Sequence, residues 1–301
     1  MAVAGPLLST YVPSELQTDD PANIKVTSPQ QARRVVRREL AYRPDLIKIW
    51  FIPLPGESLA EQTAWVQAAI EESHAAEVRV AVHATQLEVA RAAVSAGADI
   101  LAHSVDDRPV DDAFIKLLRE RKVVYVTTLI VNEGYQGVLG QTVKLTDIER
   151  RMGDPETIAT WSDLARLPVW KRPLWSFRSF RWPSRDVMFA NLKRLQQGGV
   201  TIAAGTDAGN IGTLHGPALH RELERMAEAG LSPQEILTAA TQGGARVMGR
   251  ASELGTIEAG RLADFLLLDA NPLADIANTR RIYRVVKGGV MLDPRAMLEP
   301  E

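Results

Sequence analysis

The chain of 301 residues contains no cysteine, which excludes disulfide bonds, thiolate metal sites and a cysteine nucleophile. A metal site would have to be built from His, Asp, Glu or Lys, and the chain has only five histidines. No apolar run approaches the roughly 18 residues that cross a bilayer, so no membrane partner is expected. The N-terminal stretch MAVAGPLLSTYVPSEL lacks the basic region of a signal peptide.

The chain also has no large excess of positive or negative charge. Lys and Arg total 35, Asp and Glu total 37, and the formal net charge is -2. A nucleic-acid partner usually requires a basic face, so none is expected. The hydrophobic fraction of 46% and the charged fraction of 24% are ordinary for a globular protein with a sizeable core. The compartment is left open, because cysteine-free chains occur on both sides of the cell membrane.

Short apolar runs alternate with amphipathic stretches along most of the chain. The apolar runs are AVAGPLL, DLIKIWF, RVAVHA, DILAHS, VVYVTTL and VTIAAGTDAG. Segments between them, such as AEQTAWVQAAIEESHAA, place apolar residues at helical spacing. This alternation predicts an α/β fold of about six βα units with a parallel sheet. Since a (β/α)8 TIM-type barrel has eight strands, we predict an N-terminally incomplete barrel, with an open sheet as the alternative.

A long connection of about 55 residues interrupts this alternation. It predicts an insertion at about 131–185 within a barrel domain of residues 1–250. The connection contains four of the six tryptophans, namely Trp161, Trp170, Trp175 and Trp182. These side chains could cover an apolar substrate, pack against the rim of the barrel, or form a homo-oligomer contact. The connection also contains the arginines Arg172, Arg178, Arg181 and Arg185, which could bind a substrate carboxylate or form a solvated face.

The C-terminal residues 251–301 have a different pattern. GTIEAGRLADFLLLD and IYRVVKGGVML have the composition of short antiparallel strands, and a Gly-Gly pair lies where a turn is needed. These residues predict part of a small β-sandwich.

Four polar residues lie within or directly after separate apolar runs: Lys48, His83, His103 and Asp207. Each has a structural interpretation alone: a lysine whose amine reaches solvent, a hydrogen-bonded histidine, or an aspartate in a turn. Together they indicate more, because the C-terminal ends of barrel strands carry the active site. Imidazoles suit zinc and related metals, and a carboxylate could complete the ligand set.

At these residues the sequence resembles the amidohydrolase superfamily, most of all its imidazolonepropionase-like and prolidase-type metal-dependent branch. The motifs are DLIKIWF, VAVHA, ILAHS, AAGTDAG, HGPALHRELERMAEAGLSPQEILTAAT and GTIEAGRLADFLLLDANPL. The last motif is similar to the stretch that returns the chain from the barrel to the β-sandwich of that superfamily. The resemblance runs from about residue 1 to residue 295 and is weakest across the tryptophan-rich connection.

The resemblance implies a metal-dependent hydrolase that uses a metal-activated water on amide, cyclic amide or Xaa-Pro peptide bonds. Lys48 would be carboxylated, which turns a cation into an anionic ligand, and would bridge two divalent ions, most simply zinc. His83 and His103 would hold one ion. Asp207 would contact the other, accept the proton of the water and pass it to the leaving nitrogen. The substrate would be a small molecule or a dipeptide.

The sequence departs from the family pattern at one motif. The family has H-x-H at the end of its first barrel strand, and this chain has none. A second metal would lack two ligands, although Lys48, His83 and His103 could still hold a single ion with water. We therefore expect an N-terminally truncated gene product, with a split protein as the alternative. The alternative functions are a phosphotriester or lactone hydrolase with the same residues, and an inactive remnant that serves as a binding module.

Two further residues are predicted to contact the substrate. His215 follows Asp207 in a loop expected to face the active site, although it could simply precede a helix. Tyr135 follows the strand VVYVTTL. His220 could bond a carboxylate behind the site, or form a solvated or packing face with Arg221 and Glu222.

Overall fold

The structure is a computed structural model that describes residues 2–13, 22–166 and 184–296. Three of the four tryptophans of the long connection, and its arginines Arg172, Arg178 and Arg181, lie outside these residues. The chain forms two compact units. The first unit comprises Met1–Thr127 and Asp186–Ile202, and the second comprises Thr128–Arg185 and Ala203–Glu301.

Seven strands of the described residues form a parallel sheet. They are β1 (Leu7–Ser9), β2 (Asn23–Lys25), β3 (Leu46–Trp50), β4 (Arg79–His83), β5 (Ile100–Ala102), β6 (Val124–Val126) and β7 (Thr201–Ala203). Their order in the sheet is β2-β1-β3-β4-β5-β6-β7. The register pairs Lys48 with Ala81 and Trp50 with His83, and pairs His83 with Ala102. The predicted α/β class with a parallel sheet is confirmed.

Helices follow each strand from β2 to β7, so six βα units are present, the predicted number; the first of them begins at β2 and not at the predicted run AVAGPLL, which leads into β1. They are α1 (Pro29–Leu40), α2 (Leu59–His74), α3 (Leu87–Ser95), α4 (Asp112–Glu120), α5 (Ile130–Leu139), α6 (Asp147–Met152), α7 (Pro155–Thr160), α8 (Asp163–Arg166), α9 (Arg185–Gln197), α10 (Ala218–Glu228), α11 (Pro233–Thr238) and α12 (Gly244–Val247). A π-helix, Ala239–Gly243, joins α11 to α12. No helix of the described residues is long and apolar enough to cross a membrane.

Side-chain caps explain where several of these helices begin. Ser28 accepts a hydrogen bond from the Gln31 amide, and Asp111 accepts one from the Phe114 amide. Ser232 and Glu235 form a reciprocal capping box at α11. Such caps satisfy amides that lack a partner in the first helical turn, so they fix each helix start.

The first unit has an apolar core. The twelve largest fully buried side chains of the described residues all belong to it: Tyr125, Phe51, Phe114, Leu8, Ile47, Ile49, Ile70, Ile100, Leu101, Leu118, Leu192 and Leu195. Buried Asn191 on α9 accepts a hydrogen bond from the Val110 amide at 2.8 Å and donates to the carbonyls of Val105 and Arg108. These bonds fix the loop that follows β5.

The second unit is mostly helical. The described part of the long connection contains α5, α6, α7 and α8. Thr146 and Glu149 form a capping box at α6, and Asp154 caps α7. Local capping therefore organises a stretch without the long apolar periodicity by which helices are usually recognised.

The C-terminal part of the second unit contains a small antiparallel sheet, as predicted. Its strands are β8 (Phe265–Leu268), β9 (Ile282–Lys287) and β10 (Val290–Leu292), in the order β10-β9-β8. Gly288 and Gly289 both have positive φ in the turn between β9 and β10. This conformation costs glycine least, which explains the Gly-Gly pair.

Candidate active site

Lys48 and His83 lie on one face of the first unit's sheet. Lys48 pairs with Ala81 on β4, and His83 lies two residues beyond Ala81. Register partners share a face, as do alternate residues of a strand. The side chains of Lys48 and His83 therefore project from the same face, with His83 nearer the C-terminal end.

The backbone at His103 brings a second imidazole to His83. His103 directly follows β5, and regular alternation would send its side chain to the other face. Instead its φ is 75°, in the left-handed region that few residues other than glycine adopt. The ring centroids of His83 and His103 lie 4.5 Å apart in an edge-on arrangement. Such strained backbone is often found at functional sites.

Both imidazoles are kept neutral. Burial, with a smaller effect of the Lys48 cation, lowers the pKa of His83 from 6.5 to about 3. Burial also lowers the pKa of His103 well below its ordinary value, and the neighbouring His83 and Lys48 add to the effect. A neutral imidazole has the lone pair that a metal ligand needs.

The donor set of the first unit fits a metal ion in part. The two neutral imidazoles suit zinc, and Lys48 is close enough to influence the pKa of both. A protonated amine cannot be a ligand, whereas a carboxylated one can. Within the described residues, no group of three or more His, Asp or Glu side chains could hold a metal. A third ligand from this unit would therefore be Lys48.

Asp207 lies in a tight loop of the second unit that follows β7. Its φ is 51°, so it too has a left-handed backbone. The Asn210 side-chain amide donates to the Asp207 carboxylate at 2.5 Å and approaches the Asp207 carbonyl at 3.3 Å. The Gly209 amide donates to Thr213, and the Thr213 amide donates to Asn210. The loop is thus closed by its own hydrogen bonds around an exposed carboxylate.

Tyr135, on α5, joins this loop. Its hydroxyl donates to the Asn210 side-chain oxygen at 2.6 Å. Burial, followed by the negative charge of Asp207, raises the pKa of Tyr135. Asn210 was not predicted from the sequence. Its spacing three residues after Asp207, among glycines, is the signal that could have indicated it, because Asx side chains often organise tight turns.

The remaining histidines of the second unit have different surroundings. His215 is exposed, and its ring lies beside Gly209, where an added Cβ would be 3.4 Å from His215 Nε2. His215 is therefore in the same loop as Asp207. His220 bonds the Thr279 hydroxyl at 3.0 Å, so its observed partner is not the carboxylate considered from the sequence.

Buried charge supports α5 in the second unit. Glu222 on α10 is fully buried and accepts hydrogen bonds from the Leu129 and Ile130 amides, at 3.0 and 3.1 Å. Arg225 binds Glu133 through two nitrogens, at 2.6 and 2.8 Å. The sequence left a solvated face open as one interpretation of Glu222, and its burial excludes that interpretation. The contacts fix the start of the helix that carries Tyr135.

Comparisons with known proteins show sequence similarity to hydrolases over part of the chain. The imidazolonepropionase of Thermoanaerobacter pseudethanolicus is 39% identical over 85 residues, which are 28% of this chain and 20% of the relative. The S-triazine hydrolase of Gordonia rubripertincta is 37% identical over 94 residues, 27% of this chain and 20% of the relative. The matched segments thus span about a fifth of each relative's length.

A solved structure extends the likeness to almost the whole chain. A Xaa-Pro dipeptidase with methionine bound in its active site matches 94% of this chain and 64% of its own, with a TM-score of 0.65 and 23% identity. This match concerns the fold, and the chain spans less than two thirds of that dipeptidase. The model of the family named "Amidohydrolase family" matches residues 25–292. This match includes nearly all of the described helices and strands. The chain therefore belongs to the amidohydrolase family, a family of hydrolytic enzymes.

Proposed function

We propose that this protein is a metal-dependent hydrolase of C–N bonds in small amides, cyclic amides or Xaa-Pro dipeptides. The approach of two neutral imidazoles, His83 and His103, is the observation that carries the proposal. Burying two unprotonated imidazoles beside a lysine costs free energy. Metal binding would offset part of that cost.

His83 and His103 would hold the metal, and Lys48, once carboxylated, would be the third ligand. When bound, a divalent ion such as zinc supplies a nucleophilic water and polarises the scissile carbonyl. One ion or two would serve. The residues of the first unit contribute neutral ligands positioned before the ion arrives, which lowers the cost of ordering them.

Asp207 would move the proton. Its carboxylate is exposed, so it can meet a substrate, and the Asn210 amide donates to it at 2.5 Å. We assign it two tasks, as acceptor of the proton released on attack and as donor to the leaving nitrogen. His215, exposed in the same loop, would contact the substrate.

The relatives support the bond type. One is named for the hydrolysis of an imidazolone ring, one for that of a triazine, and the solved neighbour is a Xaa-Pro dipeptidase. An imidazolone, a triazine and a Xaa-Pro dipeptide all contain carbon bonded to nitrogen. We therefore place this protein's substrate among small amides or cyclic amides, ahead of phosphotriesters and lactones, with no nucleic acid involved.

The test begins with metal content. The purified chain, titrated with zinc in the presence of bicarbonate, should bind at least one ion, and His83→Ala should lose it. His74→Ala is the matched control, because His74 lies on α2 and pairs with Asp99. Equal zinc content in all three proteins would contradict the proposed ligands.

A substrate panel then tests the reaction. Xaa-Pro dipeptides, lactams and aryl phosphotriesters should be compared at saturating zinc, and turnover is expected among the first two classes. Asp207→Asn should abolish turnover and leave the zinc content largely intact. A folded, zinc-loaded chain that hydrolyses none of them would favour a non-catalytic binding module, the alternative that the missing H-x-H motif suggests.

A further inference from the structure

A chain of side-chain hydrogen bonds leads from α5 to Asp207 within the second unit. The Tyr135 hydroxyl donates to Asn210 Oδ1 at 2.6 Å, and Asn210 Nδ2 donates to Asp207 Oδ2 at 2.5 Å. Hydrogen bonds to an ionised acceptor are shorter and stronger than neutral ones. Asn210 therefore joins a helix residue to a carboxylate in the neighbouring loop.

The direction of each bond follows from the chemistry of the groups. A tyrosine hydroxyl keeps its proton near neutral pH, and an ionised carboxylate can only accept. The oxygen of the Asn210 amide must therefore face Tyr135, and its nitrogen must face Asp207. Reversing the amide would place its NH2 group against Tyr135 and its oxygen against the Asp207 carboxylate. The Asp207 carboxylate thus sets which face of the Asn210 amide it meets, and the Tyr135 hydroxyl holds that orientation by donating to the amide oxygen.

Backbone packing holds the two ends of this chain together. An added Cβ at Gly212 would lie 2.6 Å from Gly134, and one at Gly134 would lie 2.7 Å from the Ile211 carbonyl. Only glycine at both positions permits this approach of the loop to α5. Gly134 is also the immediate neighbour of Tyr135. The short bonds at Asn210 are therefore made at a site where the backbone is already fixed.

We infer that Asn210 is a positioning residue that aims the Asp207 carboxylate, and that Tyr135 acts through Asn210 and not directly on the substrate. The inference rests on the proposed function, which makes Asp207 the proton carrier. It assigns a role to a residue that the sequence interpretation omitted, and it replaces the substrate contact predicted for Tyr135.

Nuclear magnetic resonance tests the hydrogen-bond chain without any turnover. The side-chain amide signal of Asn210 in the 15N-labelled full chain is identified by its loss in Asn210→Asp. We expect one proton of this NH2 group to be shifted downfield, and to return upfield in Asp207→Asn. Tyr135→Phe should move or broaden the same signal. Tyr42→Phe, at a tyrosine that is 84% exposed, should leave it unchanged.

An Asn210 signal that responds to neither Tyr135→Phe nor Asp207→Asn would overturn the inference. This result would hold whether or not a substrate had been found. A general loss of structure is separated from it by the other signals of the spectrum, which should stay in place in each variant. Because Tyr135→Phe removes a single oxygen, the helix should fold as before.

Kinetic measurements test whether Tyr135 acts on Asp207 through Asn210. Tyr135→Phe should lower kcat by up to about tenfold, the upper end expected for one hydrogen bond between neutral groups, and leave KM within about twofold. In the Asn210→Ala background the same change should have no further effect, because the connection to Asp207 is already cut. A residue that binds the substrate directly would instead raise KM in both backgrounds.

The outcomes separate the inference from the proposed function. If Asp207→Asn keeps full turnover, the assigned role of Asp207 is wrong. If Asp207→Asn abolishes turnover but Tyr135→Phe acts equally with and without Asn210, the proposed function stands and the inference fails.

Discussion

The two units of the chain hold their buried carboxyl groups differently: Glu39 of the first unit has no hydrogen-bond partner among the described residues, whereas Glu222 and Glu149 of the second unit accept hydrogen bonds. The first unit contains all twelve of the largest fully buried side chains of the described residues, and only one of them, Tyr125, is polar. In the second unit, Glu222 has no exposed surface and accepts hydrogen bonds from two backbone amides, and Glu149, which is 4% exposed, binds Arg221. Apolar burial depends on area and tolerates small shifts, whereas ionic contacts require fixed directions. The second unit is therefore expected to lose more from the loss of a single polar atom.

The same difference extends to the candidate residues. In the first unit, strand register and one left-handed residue place Lys48, His83 and His103. In the second unit, Asp207 lies in a loop whose form depends on side-chain hydrogen bonds from Asn210 and Tyr135. The proposed metal ligands thus come from a sheet and its strand ends, and the proposed proton carrier comes from a loop.

Replacing Glu222 should have the largest effect on stability. Glu222→Ala leaves two buried amides, those of Leu129 and Ile130, without their acceptor, and should cost about 3 kcal/mol or more. Glu222→Gln keeps one acceptor oxygen and should cost about half as much. Hydrogen exchange should rise over residues 129–139 and stay unchanged over 186–195. Equal exchange in both segments would show that the charge does not support α5.

A buried carboxyl in the first unit should make stability depend on pH. Glu39 is 3% exposed, and neither of its oxygens has a hydrogen-bond partner among the described residues. Burial, opposed weakly by Arg38, raises the pKa of Glu39 from 4.5 to about 7. The folded state then holds a proton that the unfolded state releases, so stability should fall as pH rises from about 4.5 to about 7.

The expected loss across that pH range is about 3 kcal/mol. Urea unfolding at several pH values should show it, and Glu39→Gln should remove it and stabilise the protein at pH 8. Glu120, an exposed carboxylate on α4, is the control: Glu120→Gln should leave the pH curve as it was. A wild-type curve that is flat between pH 4.5 and 7 would contradict the burial argument.

Two glycines of α5 should respond in opposite ways. Gly134→Ala would place a methyl group 2.7 Å from the Ile211 carbonyl, so the loop must move, at a cost of about 2 kcal/mol. Gly137→Ala would meet mainly the Val143 side chain at 3.1 Å, which can adjust, and alanine favours the helix by up to about 1 kcal/mol. Thermal unfolding measures both, and similar losses would show that the Gly134 contact does not matter.

The smallest effects should come from surface ion pairs. Lys116 and Glu120 are both exposed and 3.7 Å apart, so Lys116→Met should change stability by less than about 0.5 kcal/mol. Arg225→Met removes a two-nitrogen contact to half-buried Glu133 and should cost about 1–2 kcal/mol. Urea unfolding should rank them in this order. The reverse order would mean that the second unit does not depend on the contact between Arg225 and Glu133.

Much of the fold could be predicted from the sequence, because β3 to β7 are apolar runs that end at polar or small residues. The strand β2 was missed, since its three residues, Asn-Ile-Lys, show no apolar run. The helices α6 to α8 were missed because they are only four to six residues long, and α6 and α7 begin at local caps. Long periodic elements are visible in sequence, and short capped ones are not.

The candidate site could be predicted only in part. His83 and His103 lie close together because they are at the ends of two neighbouring strands. The positive φ of His103 that brings its ring to His83 cannot be inferred from the residue types. Asn210 was missed because its role depends on which way an amide faces in a folded loop. The burial of Glu222 was missed because glutamate on a helix is usually solvated, and only its partners at the start of α5 explain it.

The π-helix Ala239–Gly243 limits how the length of the chain can change. The Ala239 carbonyl accepts a hydrogen bond from the Ala204 amide, three residues before Asp207. A π turn contains one residue more than the α turn it replaces. Deleting one residue here should convert the π turn into an ordinary α turn. The residues that follow, including β8 to β10, would then be rotated by about 100° about the helix axis. In-frame deletions at this point would therefore be selected against even though the residues Ala-Ala-Thr-Gln-Gly carry no chemistry of their own.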